Sequence, residues 1–288
     1  MKMKKIITLT TDFGDQFAIA QLHAVLASLN FGGKIVDNHG VTPFSITEGA
    51  FQIAVLTKYC PINTVHIGVV DPGVGSSRRG IVLKTNKSWF VGPDNGLLFP
   101  AARTEVIQKA WHLDETKIGS HISNTFHGRD VFIKAAVYLA QRKSPETFGS
   151  VPISPTSLQT LSFENGQVLH IDHYGNVKLY WPKEIIPGKY FVVKNSNIKL
   201  ELPVVKTFSD VPQGQPLALL GSNNTLELAV NLENAARLYN IHLNQTLHIS
   251  YKTLLSLIPL NFQGLASSIS LFAESTFPQI NANASLNL

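Results

Sequence analysis

Apolar and polar positions follow two rhythms along this chain. Ile6 to Thr11 has the composition of a buried strand. Phe17, Leu22, Val25, Leu26 and Leu29 then recur at helical spacing, and Lys34 to Asp37 returns as a strand. The pattern predicts one βαβ unit. Ser45 followed by Glu48 is a capping-box pair opening a helix to about Lys58, and Thr64 to Val70 is a β-branched run ending at Asp71. Asp12 and Asp71 therefore fall just past the carboxyl ends of strands, where open α/β sheets bind ligands. Arg129 to Gln141 is the last clear helical pattern of this half.

Between Arg142 and Leu161, the residues Ser144, Pro145, Gly149, Ser150, Pro152 and Pro155 mark a linker. Beyond it come short strand-like runs, Val168 to Asp172, Val177 to Tyr180, Tyr190 to Lys194 and Leu217 to Leu220, with a short helix at Glu233 to Tyr239. The expected organisation is an α/β domain over residues 1–160, its central sheet flanked by helices, a smaller β domain over 161–252, and a tail over 253–288. That tail carries Glu274 as its only charged residue, so charge does not solvate it. Packing on its own chain or on a neighbouring subunit is the expectation, because the tail lacks the basic face of a membrane-surface helix.

Composition narrows the class. At 44% hydrophobic and 15% charged residues, the 288-residue chain has the balance of a packed globule and not of a disordered one. The net charge of +5 is scattered without a basic stripe, which argues against a nucleic-acid partner. No apolar run reaches the roughly 18 residues of a membrane span. The lone Cys60 cannot form an internal disulfide, and no cleavable apolar leader precedes Asp12, so the expected location is the cytoplasm. The ten histidines show no close ligand spacing with cysteine, and no metal site is expected.

Four segments gather polar residues between apolar runs: Thr10-Thr11-Asp12-Phe13-Gly14, Asp71-Pro72-Gly73-Val74-Gly75 continuing to Arg78 and Arg79, Gly92-Pro93-Asp94-Asn95-Gly96, and Thr125-Phe126-His127-Gly128-Arg129-Asp130. Each alone is compatible with ordinary turn chemistry. In this order, with Ile171-Asp172-His173-Tyr174-Gly175-Asn176 and with Gly221-Ser222 leading to Leu226-Glu227, they resemble the S-adenosylmethionine (SAM) hydroxide adenosyltransferases, relatives of the SAM-dependent fluorinase and chlorinase. The resemblance spans about residues 5–250.

It implies an N-terminal α/β domain, a C-terminal β-barrel-like domain, and a homotrimer with SAM bound between one subunit's N-domain and its neighbour's C-domain. The implied reaction is attack of water or hydroxide on C5′ of SAM, releasing adenosine and methionine without metal or further cofactor. Asp71, Arg78 and His127 match the family's catalytic set. Asp12 matches the ribose ligand, Phe44 an aromatic wall against the ribose, and Asp172, Asn176 and Ser222 the positions holding the amino-acid end. Asn95 and Glu227 lie in matched motifs and are carried as substrate-binding candidates. The halogenating relatives place a Tyr at Asp71 and a small hydroxyl residue or Gly at Gly128, so Asp71 with His127 favours hydroxide over halide. Departures are Asp15-Gln16-Phe17, directly after the first motif, and Leu22-His23-Ala24, where Met-Lys-Gly is usual. Three other readings stay open: a catalytically silent SAM or adenosine binder, a SAM-dependent halogenase, and a metal-dependent nucleotide hydrolase built on Asp12, Asp37, Asp71 and Asp94.

Overall fold

The computed structural model describes residues 5–119, 121–194 and 198–252. Strand β1 (Ile6–Thr11) leads through helix α1 (Gln16–Ser28), strand β2 (Lys34–Asn38) and helix α2 (Ile46–Thr57) to strand β3 (Val65–Val69). Strands β4 (Gly80–Thr85) and β5 (Trp89–Pro93), helix α3 (Phe99–Thr104), strand β6 (Ile107–Leu113), helix α4 (Ile133–Ala140) and strand β7 (Ser150–Ile153) complete the first half. All seven strands form one sheet in the order β2-β1-β3-β5-β4-β6-β7. β2, β1, β3 and β5 pair in parallel, and β4, β6 and β7 pair antiparallel to their neighbours.

Alternation along the strands explains the layering. Ile7 and Leu9 of β1 and Val82 of β4 pack with Leu22 and Leu26 of α1 and Val137 of α4, whereas Ile81, Leu83 and Phe90 pack with Ala50 and Ile53 of α2 and Ala101 of α3. Helices therefore cover both faces, as a parallel sheet requires. The Ser45 hydroxyl caps α2 by accepting from the Glu48 amide at 3.4 Å. Glu48 does not complete the capping box, however. Its carboxylate accepts from the Thr42 amide at 2.8 Å and meets His170 Nδ1 at 2.6 Å, tying α2 to the C-terminal half.

The Pro/Ser/Gly-rich stretch after Arg142 is more than a linker. It contains edge strand β7, where Pro152 sits opposite Trp111. An edge strand tolerates the missing N–H, so its composition imitates that of a loop.

The second half contains β8 (Val168–Ile171), β9 (Val177–Leu179), β10 (Tyr190–Lys194), β11 (Lys199–Pro203), β12 (Pro216–Leu220), β13 (Leu226–Val230), helix α5 (Ala235–Leu238) and β14 (His248–Tyr251). They form two open sheets, β12-β13-β9-β8 and β11-β10-β14, around Val177, Leu179, Phe191, Leu202 and Leu228. The expected barrel is not closed. Between the sheets the described residues show single bridges at Gln167 with Thr246 and at Val204 with Ala218. At the latter seam Pro203 and Pro216 lack the N–H groups that would extend the ladder. No helix among the described residues is long and apolar enough to cross a membrane, and the charge-poor tail lies outside them.

His66 of β3 is buried, stacked on Phe90 at 5.1 Å and bonded through Nδ1 to the Thr8 hydroxyl at 2.9 Å, while its Nε2 finds no partner among the described residues. Burial lowers its pKa from the ordinary 6.5 to about 4. The native state thus binds fewer protons than the unfolded one between those two values. Its contribution is fully present above pH 6.5 and lost as pH falls through about 4, by roughly 3 kcal/mol in all. Urea unfolding across this window should show a falling midpoint, with a smaller fall in His66→Gln. Equal pH dependence in the two proteins would remove His66 as its cause.

Candidate active site

Because Thr10 pairs with Gly68 and Thr11 with Val69, the loops following β1 and β3 leave the sheet side by side. They carry Asp12 and Asp71. A cavity of about 160 Å³ lies there, lined by Asp12, Phe13, Phe44, Asp71, His127 and Gly128, with Val69, Val74, Thr125 and Phe126 completing its wall. The loop after Asp71 turns back through Gly75, whose φ of +75° is left-handed and whose Cα faces the Asn124 carbonyl closely enough to exclude a side chain. That turn returns Arg78 to Asp71.

The guanidinium organises everything behind the cavity. Arg78 Nε donates to both Asp71 oxygens at 2.9 and 3.0 Å, Nη2 donates to Asp71 Oδ2 at 2.6 Å, and Nη1 donates to Glu115 Oε1 at 2.8 Å. Nη2 also lies 2.9 Å from His127 Nδ1, and Glu115 Oε2 lies 3.2 Å from the same nitrogen. Burial alone would lower the Arg78 pKa, but the hydrogen bonds and charges of Asp71 and Glu115 outweigh it and raise the pKa. The cation is permanent.

His127 is buried and precedes a π-helical turn, Gly128–Phe132, that runs into α4, without capping it through its side chain. Such turns are frequent at functional sites. Two partners compete for Nδ1: accepting from Arg78 puts the ring proton on Nε2, whereas donating to Glu115 leaves Nε2 a free base. Nε2 makes no hydrogen bond among the described residues. A Cβ on Gly128 would press on the Phe13 ring at 3.1 Å, so glycine keeps the cavity floor open.

Asp12 Oδ2 accepts the Phe44 amide at 2.9 Å, and no protein donor reaches Oδ1 among the described residues. That bond holds Phe44 at φ 66°, a left-handed conformation rare for a bulky residue, with its side chain in the open at 73% exposure. Strain and exposure together serve no packing purpose. They place an aromatic ring at the cavity mouth.

The sequence-predicted residues therefore divide. Arg78 contacts both Asp71 and His127, and Asp12, Phe44 and Gly128 line the same cavity as Asp71 and His127. Arg78 itself borders a neighbouring polar cleft, with Ser76, Arg79, Asp94 and Asn95. The Asn95 amide is occupied internally, donating to the Val70 carbonyl and accepting from the Leu97 amide. Asp172, Asn176 and Glu227 gather in the C-terminal half. There Lys178 Nζ reaches Asp172 at 3.3 Å and Glu227 at 2.9 Å, and Ser222 lies exposed in the turn before β13. Burial would raise the Asp172 pKa, but the Asn176 hydrogen bonds and Lys178 lower it overall. None of these four lines the cavity.

Of the strand-end aspartates, Asp12 and Asp71 share the cavity, whereas Asp94 is held by Arg79 and Asp37 lies with His23 and His39. A larger cavity, about 660 Å³, opens at the opposite edge of the sheet beside Lys84, Trp89 and Trp111 and contains none of the predicted residues. Sequence reasoning missed Glu115. It follows β6 in a 3-10 turn, Glu115–Lys117, and nothing in its local pattern separates it from a solvated acid.

The Phe44 backbone yields a test. Glycine relieves the left-handed strain that alanine retains, so Phe44→Gly should be more stable than Phe44→Ala by about 1 kcal/mol in denaturant unfolding. Coincident midpoints would mean that φ at this position is not positive in solution.

A family model described as the SAM hydroxide adenosyltransferase N-terminal domain matches residues 7–149, and its C-terminal counterpart matches residues 166–248. The chain is 34% identical to an (R)-S-adenosyl-L-methionine hydrolase of Salinispora tropica over 82% of this chain and 94% of that protein. It is 25% identical to a fluorinase of an Actinoplanes species over 85% of this chain and 97% of that one. An uncharacterised conserved protein from Thermotoga maritima, solved by crystallography, superposes with a TM-score of 0.78 at 29% identity, covering 85% of this chain and all of that one. With both halves matched in order, the chain belongs to the SAM hydroxide adenosyltransferase family.

Proposed function

We propose that this protein hydrolyses S-adenosyl-L-methionine to adenosine and L-methionine, by attack of water or hydroxide at C5′ of the ribose. The observation that carries the reading is the contact of Arg78 with both Asp71 and His127, beside a cavity walled by Asp12 and Phe44. Membership of the family and the hydrolase relatives support it.

The chemistry suits the charges. One guanidinium lies between two carboxylates, so with an uncharged imidazole the cluster carries one negative charge. A cationic sulfonium is attracted to it and a halide is repelled. Water held between Asp71 and His127 attacks C5′ in line. As the C–O bond forms, the C5′–S bond breaks, its electron pair stays on sulfur, and methionine leaves as a neutral thioether. The surplus proton of the water passes to His127 Nε2 when Glu115 holds the proton of Nδ1. Arg78 acts through Asp71 and His127, aligning both and offsetting their charge, which makes it a positioning residue along with Glu115. Asp12 Oδ1 is available for the ribose hydroxyls, and Phe44 shields the reacting carbon from bulk water. No step draws on a metal or further cofactor.

At about 160 Å³ the cavity is below the roughly 300–1,000 Å³ of small-molecule sites, so a second surface must complete it. A neighbouring subunit's C-terminal half, in a homotrimer, would bring Asp172, Asn176, Ser222 and Glu227 to the methionine end.

The deciding assay is incubation of chelator-treated enzyme with SAM, with and without chloride, resolving nucleosides by chromatography and mass. Adenosine and methionine should appear in both. Intact SAM, or a chlorinated nucleoside appearing only with chloride, would overturn the reading. Asp71→Ala, Arg78→Ala and His127→Ala should each lower kcat by about tenfold or more. Glu115→Gln should lower kcat with KM unchanged, and Arg78→Lys should recover part of the Arg78→Ala loss. Asp12→Ala should weaken SAM binding by about 1.5–3 kcal/mol.

Subunit sharing has its own readout. Chains carrying Asp71→Ala, mixed with chains carrying Asp172→Ala, should regain activity that neither has alone. An active enzyme sedimenting as a monomer would exclude sharing.

A further inference from the structure

Three side chains outside the reaction converge near the first motif. Asp37 and His39 stand two residues apart at the end of β2 and so project to one side, where α1 brings His23 across them. His23 Nε2 lies 3.1 Å and His39 Nε2 3.0 Å from the same oxygen, Asp37 Oδ1, and the three ligand atoms lie within 4.8 Å of one another. With metal–nitrogen and metal–oxygen bonds of about 2.0–2.2 Å, adjacent ligand atoms of a tetrahedral or octahedral ion lie about 3.0–3.4 Å apart, which matches both separations. The His39 ring is also fixed from behind. Its Nδ1 is 2.8 Å from the Thr11 hydroxyl, an oxygen able to fix its tautomer and orientation as outer-shell acceptors do for metal-bound imidazoles.

We propose that His23, Asp37 and His39 form a binding site for a divalent transition cation of the Zn²⁺ class, with two imidazole nitrogens and one carboxylate oxygen as protein ligands and water in the remaining positions. Two imidazoles with one carboxylate select such an ion over Mg²⁺ or Ca²⁺, which prefer oxygen. Without an ion, both Nε2–H groups donate to Asp37. On binding, each imidazole changes tautomer: its Nε2 proton leaves to solvent, Nδ1 takes one up from solvent, the Nε2 lone pair goes to the metal, and Thr11 turns from donor to acceptor for His39 Nδ1–H. The ion staples α1 to β2 and, through Thr11, steadies the backbone that presents Asp12, whose neighbouring Phe13 amide also rests on the Thr11 hydroxyl at 3.1 Å. The site takes no part in the reaction.

The test uses the full chain, stripped with chelator and titrated with Zn²⁺ by calorimetry, with Co²⁺ absorption in the visible as a second signal. Binding should saturate at one ion per chain and raise the thermal midpoint. In His23→Ala and in Asp37→Asn the affinity should fall by about tenfold or more and the thermal shift should vanish, with circular dichroism unchanged. Absence of saturable binding in the parent protein, or equal affinity in parent and both variants, would overturn the proposal. Neither readout involves SAM turnover, so the outcome is independent of the proposed reaction.

Discussion

The site depends on one buried guanidinium. Arg78 divides its donors among Asp71, Glu115 and His127, three groups separated in sequence by up to 56 positions, and fixes them relative to one another without contributing to the wall of the cavity they serve. Breaking such a cluster is costly, because removing one partner leaves the others desolvated and unpaired. Its net negative charge follows from having two carboxylates for one cation. That surplus sets which ions can approach, and it suits a positively charged substrate whose leaving group departs neutral.

The parallel sheet makes this cluster possible. Parallel pairing sends the ends of β1 and β3 out on the same edge, so two loops distant in sequence present Asp12 and Asp71 to one space. The same geometry exposes a third loop, after β2, whose His39 touches the first through Thr11. Local strain marks the assembly: a left-handed Phe44 held by Asp12 and a π-helical turn beginning beside His127. Both are conformations that packing alone would not select.

The C-terminal half follows another logic. Its short strands form two open sheets meeting at single bridges, and its buried polar cluster centres on Lys178, with Asp172 and Glu227 satisfying the ammonium. The Glu48–His170 pair fastens this half to the first turn of α2. Within one chain, then, the two sets of candidate residues occupy different places.

The sequence by itself determined the elements and motifs whose signals are local. The 2.0 and 3.6 periodicities placed β1 to β3 and the first two helices, Ser45 marked a cap, and the ordered motifs supplied the family along with Asp12, Asp71, Arg78 and His127. Where local chemistry is ambiguous, the sequence misled: Pro152 made an edge strand look like a linker, and the tyrosine- and valine-rich runs of the second half left sheet closure undecided. Only the tertiary structure brought Glu115 to Arg78 and His127, moved the Glu48 carboxylate from its own cap to Thr42 and His170, and gathered His23, Asp37 and His39. The physical reason is range. Propensity, capping and alternation act over a few residues, whereas a hydrogen bond between side chains tens of residues apart is fixed by strand order and helix crossing, which no local pattern encodes.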